Sequence, residues 1–205
     1  MKIVAIKQGK RDKTKLVLTL SDGGYVFANF DDAYKYKVGD EIDEAEAEAL
    51  TAAYTKQKAK KSAAASLAHH SMSRGALEKK LRTKGFSEED SASVADWFEE
   101  KGFVDDRAYA AECAMYYKRH GCGVLRIKEE LKRRNIPREL SEEILAEFTS
   151  YEDEICALIS KKLRGRAFDA DMKRKLISYL GSRGYRYDEI RSAFNKMQFD
   201  TEDMD

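Results

Sequence analysis

Leu81-Arg82-Thr83-Lys84-Gly85-Phe86-Ser87 returns in degraded form as Leu131-Lys132-Arg133-Arg134-Asn135-Ile136-Pro137 and again as Leu180-Gly181-Ser182-Arg183-Gly184-Tyr185-Arg186, at spacings of 50 and 49 positions. Each copy reads as the basic last turn of a helix, then a residue able to take a left-handed conformation (Gly85, Asn135, Gly184), an apolar residue, and the start of another helix. A repeat of this length divides the 205 residues into three small units behind an N-terminal extension. The boundaries expected are 1-45 for the extension, 46-104, 105-150 and 151-199 for the units, and 200-205 for an acidic tail.

Outward from that stretch, the apolar positions keep helical spacing. Leu77 and Leu81 precede the first turn and Val94, Trp97 and Phe98 follow it; Val124, Ile127 and Leu131 precede the second, and Leu140, Ile144 and Phe148 follow. Leu77 matches Ile127, Leu81 matches Leu131, Val94 matches Ile144 and Phe98 matches Phe148, so the units bury the same face. In the third unit Ile155, Leu158, Ile159 and Leu163 mark a first helix, Leu176 and Leu180 a second, and Ile190, Phe194 and Met197 a third. Three short helices cannot bury their stripes alone, which predicts neighbouring units packed end to end. The fold class is mainly α: three tandem three-helix repeats in an elongated, curved array. The stretch from Asp43 to His70 is rich in strong helix formers and reads as one long helix or two in tandem, its latter part serving as the first helix of repeat one.

Ahead of it, residues 2 to 6, 15 to 20 and 25 to 30 are rich in β-branched, leucine and aromatic residues, and Ser21-Asp22-Gly23-Gly24 is a hairpin signal. A small antiparallel sheet of three strands is expected, with a short edge segment at 37 to 42 and Asp43 as the N-cap of the long helix. Composition excludes several classes. Charged residues reach 37% and proline occurs once, while apolar residues still make up 42%, which suits helices with solvated faces rather than a disordered chain. No apolar run approaches a membrane span and the N-terminus lacks a signal peptide, so a cytoplasmic protein is expected. Cys113, Cys122 and Cys156 share no CxxC spacing, and neither a disulfide framework nor a zinc site is indicated.

Nothing points to catalysis. His69, His70 and His120 lie near helix ends without metal-ligand spacing, Asp105 and Asp106 suit the start of a helix, and Gly121-Cys122-Gly123 lacks the remainder of a phosphate-binding loop. No enzyme activity, cofactor or metal is expected. Lysine and arginine (38) balance aspartate and glutamate (37), so any electrostatic role must be local. It is the second helix of each unit that is basic: Arg74, Lys79, Lys80, Arg82 and Lys84 in the first, Arg126, Lys128, Lys132, Arg133 and Arg134 in the second, Lys173, Arg174, Lys175 and Arg183 in the third. On a helical wheel Arg126 and Arg133 point away from the apolar stripe while Lys128 and Lys132 flank it. An ordinary solvated face paired with Glu78, Glu129 and Glu130 is the competing reading, and recurrence in three units favours a binding surface. A DNA-reading helix-turn-helix fails on sign, because the helix after each turn opens with acidic residues: Glu88, Glu89 and Asp90, then Glu139, Glu142 and Glu143, then Asp188 and Glu189.

Ser73 to Ser87, Gly102-Phe103-Val104-Asp105-Asp106-Arg107-Ala108-Tyr109-Ala110 and Ile127 to Ile136 closely resemble the RecX family of bacterial regulators of the recombinase RecA. The likeness covers roughly residues 60 to 195; it is looser in the third unit, and the N-terminal sheet lies outside the shared core. The resemblance implies a non-catalytic, monomeric inhibitor that lies in the groove of the RecA filament on single- or double-stranded DNA, without sequence specificity, and so regulates recombination, DNA repair and the SOS response. A free-standing DNA-binding module and a structural adaptor are the alternatives.

Overall fold

The computed structural model describes residues 1-10, 12-148, 150-166 and 168-199; the acidic tail lies outside the described residues. Strands β1 (Ile3–Gln8), β2 (Lys15–Leu20) and β3 (Tyr25–Asn29) form an antiparallel sheet in that order. The Leu20-Gly24 turn closes as expected, with Gly24 N–H donating to the Asp22 carboxylate at 2.9 Å. The segment before the long helix contributes one bridge, Lys2 to Glu41, and a buried Ile42. A four-residue helix, α1 (Phe30–Ala33), follows β3 and is too short to carry a periodic signal.

Helix α2 (Glu44–Leu67) is a single 24-residue helix, which settles the choice between one helix and two. Asp43 caps it by accepting from Glu46 N–H at 2.7 Å. Eight helices follow: α3 (Arg74–Thr83), α4 (Glu88–Glu100), α5 (Asp106–Arg119), α6 (Val124–Arg133), α7 (Arg138–Ala146), α8 (Glu152–Leu163), α9 (Ala170–Ser182) and α10 (Tyr187–Lys196). Each turn after a second helix has the same backbone. Phe86, Ile136 and Tyr185 N–H donate back to the carbonyls of Leu81, Leu131 and Leu180 at 3.3, 3.2 and 3.2 Å. Gly85, Asn135 and Gly184 sit at φ +90°, +55° and +85°, the left-handed stop that the repeat foretold.

The residues sort into two units, 1-70 with 77-101, and 71-76 with 102 onwards. In the first, the sheet packs its Leu16, Leu18, Leu20, Val26 and Ala28 face on Ala47 and Leu50 of α2, and α2 also contacts α4, so the first repeat and the sheet share one helix. In the second, Ile127, Leu131, Ile144, Ile155, Ile159, Leu176, Leu180, Ile190 and Phe194 form one buried cluster. Phe148 is only half-buried, because α7 ends at Ala146 and the ring leaves the helical stripe to lie beside Tyr151, with Leu145 filling the core instead.

Candidate functional site

The second helices are fixed by the way their ends are joined. Ser73 accepts from Ala76 N–H at 3.0 Å and caps α3, while its own hydroxyl donates to the Arg134 carbonyl in the turn after α6. Arg74 N–H donates to the buried Asp106 carboxylate at 2.6 Å, and burial pushes that carboxyl up against the pull of the N–H. One period on, the same joint recurs: Gly123 N–H donates to the Arg183 carbonyl at 2.9 Å and Leu125 N–H to the Gly184 carbonyl at 3.0 Å. In the second joint the free N–H groups that open one basic helix are thus satisfied by the free carbonyls that close the next, whereas in the first the Ser73 hydroxyl reaches the carbonyl and the Asp106 carboxylate takes the N–H.

With the helices placed, the fourteen basic residues divide. Glu130, 9% exposed at its side chain, gathers three guanidiniums: Arg126 at 2.9 Å, Arg134 at 3.0 Å and Arg133 at 3.3 Å. Burial raises its carboxyl, but the Arg134 hydrogen bond and the Arg126 and Arg133 charges outweigh that and hold it below the usual range. Arg134 also donates to Tyr117 Oη at 2.9 Å and lies over that ring; it belongs to the packing. Arg183 donates to the carbonyls of His120 and Gly121 at 2.9 and 3.0 Å and lies over Tyr179, closing the C-terminal end of α5. Lys84 donates to Ser62 Oγ at 2.7 Å, and Arg82 pairs with Glu78 and Glu88 at 3.6 and 3.3 Å. The first turn of α3 places Arg74 at the Asp106 joint.

The remaining cations, Lys173 apart, face solvent. Lys79, Lys80, Lys132 and Arg133 are exposed, and Arg133 keeps 64% of its side chain accessible despite Glu130. Lys128 meets Glu142 at 2.8 Å. In α9, Arg174 is 78% exposed with Asp171 at 3.8 Å, Lys175 meets the same carboxylate at 2.5 Å, and Lys173 is half-buried. A further group falls outside the second helices. Lys161, Lys162, Arg164 and Arg166 line an open cleft with Leu158 and Tyr179, and Lys162 lies 4.7 Å from the Tyr179 ring centroid. Its signal was the run Lys161-Lys162-Leu163-Arg164-Gly165-Arg166, five cationic or turn positions about one leucine.

Residues 150-194 match the family model described as RecX, third three-helix domain. Relatives named regulatory protein RecX cover most of their own length with this chain. That of Chlorobaculum tepidum is 34% identical over 62% of this chain and 80% of its own, and that of Trichlorobacter lovleyi 30% over 59% and 83%. The chain belongs to the RecX family. A crystal structure of regulatory protein RecX superposes with a TM-score of 0.67 over 93% of this chain and 98% of its own at 21% identity, and RecX from Lactobacillus salivarius gives 0.65 over 70% and 97% at 19%. These RecX structures share the fold, a mainly helical chain led here by a three-stranded sheet. The relatives are named as regulatory proteins, not as enzymes. No helix among the described residues is long and apolar enough to cross a membrane.

Proposed function

We propose that the protein is a non-catalytic, cytoplasmic regulator of RecA. It lies as a monomer in the groove of the RecA filament on single- or double-stranded DNA, restrains filament growth and ATP hydrolysis, and through them recombination, repair and the SOS response. The observation that carries this reading is the recurrence of outward-facing cations on the second helix of successive repeats in a chain whose relatives are named regulatory protein RecX.

The surface assigned to the filament comprises Lys79, Lys80, Lys128, Lys132, Arg133, Lys173, Arg174 and Lys175, extended by Lys161, Lys162, Arg164 and Arg166. Cations displayed in this way suit the phosphates of a nucleoprotein filament and acidic patches of its protein. Lysines and arginines that neutralise phosphates release counterions, so binding weakens as salt rises. Arg134, Arg126, Arg183 and Lys84 serve this surface by holding the helices that display it.

The test is RecA ATP hydrolysis on single-stranded DNA titrated with the protein. Hydrolysis is expected to fall at amounts stoichiometric with RecA, and Lys132→Glu with Arg133→Glu to weaken the effect and flatten its salt dependence. No effect of the wild-type protein overturns the regulatory reading, and an unchanged effect of the folded double variant overturns the surface assignment. A protein that binds the DNA alone as tightly as it binds the filament is instead a free-standing DNA-binding module.

A further inference from the structure

We infer that the outward face of the N-terminal sheet is a platform for single-stranded DNA, separate from the second helices. Opposite pairing sets the face: Val17 faces Phe27 and Thr19 faces Tyr25 across β2 and β3, and Lys7 faces Val17 across β1 and β2. Alternation sends Leu16, Leu18, Val26 and Ala28 into the core and leaves Lys7, Lys15, Val17, Thr19, Tyr25 and Phe27 on the other side. Tyr25 is 65% and Phe27 36% exposed. Two rings two positions apart on one strand, on the side away from the sheet's core, are an exposed apolar feature that asks for a partner.

Helix α2 supplies a third ring and more charge. Its Ala47 and Leu50 stripe leaves the core and continues as Tyr54, Lys58 and Lys61. Tyr54 lies 6.1 Å from Phe27, ring centre to ring centre. Lys15 Nζ sits 4.3 Å from the Phe27 centroid and 5.6 Å from that of Tyr54, a cation held between two rings. Lys61 donates to Thr14 Oγ1 at 2.9 Å, which brings the cationic part of α2 against the β1-β2 hairpin, where Lys10 and Lys13 are exposed. One carboxylate intrudes, Asp12, which Thr14 hydroxyl and amide hydrogen bonds and the Lys61 charge hold below the usual range.

Rings beside lysines are what a single strand of nucleic acid needs: bases stack on aromatic faces and phosphates meet cations, without any demand for sequence. A duplex hides its bases and gains nothing from the rings. The charge is graded along the face, since the Tyr25 end borders a hollow lined by Glu44, Glu48 and Asp90. The strand therefore lies over Phe27 and Tyr54 toward the hairpin and ends near Tyr25, a footprint of a few nucleotides.

The experiment is fluorescence anisotropy of labelled octathymidylate with the full-length protein and no RecA, comparing wild type with Phe27→Ala, Lys15→Gln, and Lys132→Glu with Arg133→Glu. Phe27→Ala and Lys15→Gln are each expected to weaken binding about tenfold, while the second-helix variant keeps the component that Phe27→Ala removes. An oligonucleotide carrying 5-iododeoxyuridine should crosslink to Phe27, Tyr54 or Tyr25. Unchanged affinity in both sheet variants overturns the proposal, as do crosslinks confined to the second helices. Unchanged affinity with weakened RecA inhibition makes the face a protein-docking surface instead. Lys15→Gln, which removes the charge and keeps most of the side chain, keeps the result interpretable should Phe27→Ala disturb the fold.

Discussion

The Ser73 hydroxyl donates to the Arg134 carbonyl across 61 positions of chain, and the Gly123 amide donates to the Arg183 carbonyl one period later. A side chain in one joint and a backbone group in the other make the same link. What the repeat conserves is the docking of a helix start on a helix end, and the residue supplying the donor is free to change.

That joint separates two glycines that the sequence presents as equivalent. Gly85 and Gly184 both have positive φ, but a Cβ on Gly85 meets open space, whereas one on Gly184 collides with the backbone nitrogen of Arg126. Gly85→Ala should cost only the left-handed backbone, about 1 kcal/mol. Gly184→Ala adds overpacking at the joint and should cost about 2–4 kcal/mol. Urea denaturation compares them; equal losses would show that the joint opens without penalty.

Glu130 is the second test of how the helices are held. Removing it leaves Arg134 half-buried against Tyr117 without its carboxylate and releases Arg126 and Arg133. Breaking a buried pair is strongly destabilising, and allowing for the partial exposure of the arginines, Glu130→Ala should cost about 2 kcal/mol or more. The urea midpoint reads this loss. Arg133→Ala, which removes a mostly exposed partner, should stay within about 0.5 kcal/mol of wild type.

The architecture was legible where a period carried it. Leu77, Leu81, Ile127 and Leu131 are buried because spacings of three and four mark one helical face, and Asp43, Ser87 and Asp105 cap helices as their residue types imply. The joints were not legible, since no local pattern pairs Ser73 with Arg134 or Arg74 with Asp106. Asp106 suits a helix start for dipole reasons, yet its neighbour Asp105 makes the cap and Asp106 reaches across to α3. Arg133 and Arg134 are chemically alike and adjacent; only the burial of Glu130 and the position of Tyr117 decide that one is displayed and the other packed. The Lys161 to Arg166 group was visible as a charge run but fell outside the repeated second helix, and Phe27 with Lys15 became a feature only when strand register put them on one face.

Acid should weaken the protein through carboxylates paired in the fold. Glu142 accepts from Lys128 at 2.8 Å and Arg138 at 2.9 Å, and these bonds lower its carboxyl from 4.5 to about 2. A lowered carboxylate contributes stability that is fully present above its unfolded value and is lost as pH falls through the folded one. Lys196 lowers Asp153 in the same sense, Lys175 lowers Asp171, and Ser192 with Lys196 lowers Glu152. Asp106 and Glu189, raised by burial, run the other way, their contribution fading as pH rises. The melting-temperature difference between wild type and Glu142→Gln should therefore shrink between pH 4.5 and about 2. A constant difference over that window would mean that the two ion pairs do not persist in solution.

Arg183 and Arg174 separate holding from binding within the third repeat. Arg183 makes two charge-assisted bonds to the end of α5, so Arg183→Ala should lower stability by about 1–2 kcal/mol. Arg174 and Lys175 stand on the exposed side of α9 beside Asp171, so Arg174→Ala with Lys175→Ala should leave stability within about 0.5 kcal/mol. If they meet phosphates, the double variant lowers the slope of log affinity against log salt by about 1–2, as the loss of up to two counterion-releasing contacts requires. The salt titration on RecA-coated single-stranded DNA measures that slope directly. A slope equal to wild type in a fully folded double variant would reduce the α9 cations to a solvated face, and the filament contact of this repeat would then rest on Lys161, Lys162, Arg164 and Arg166.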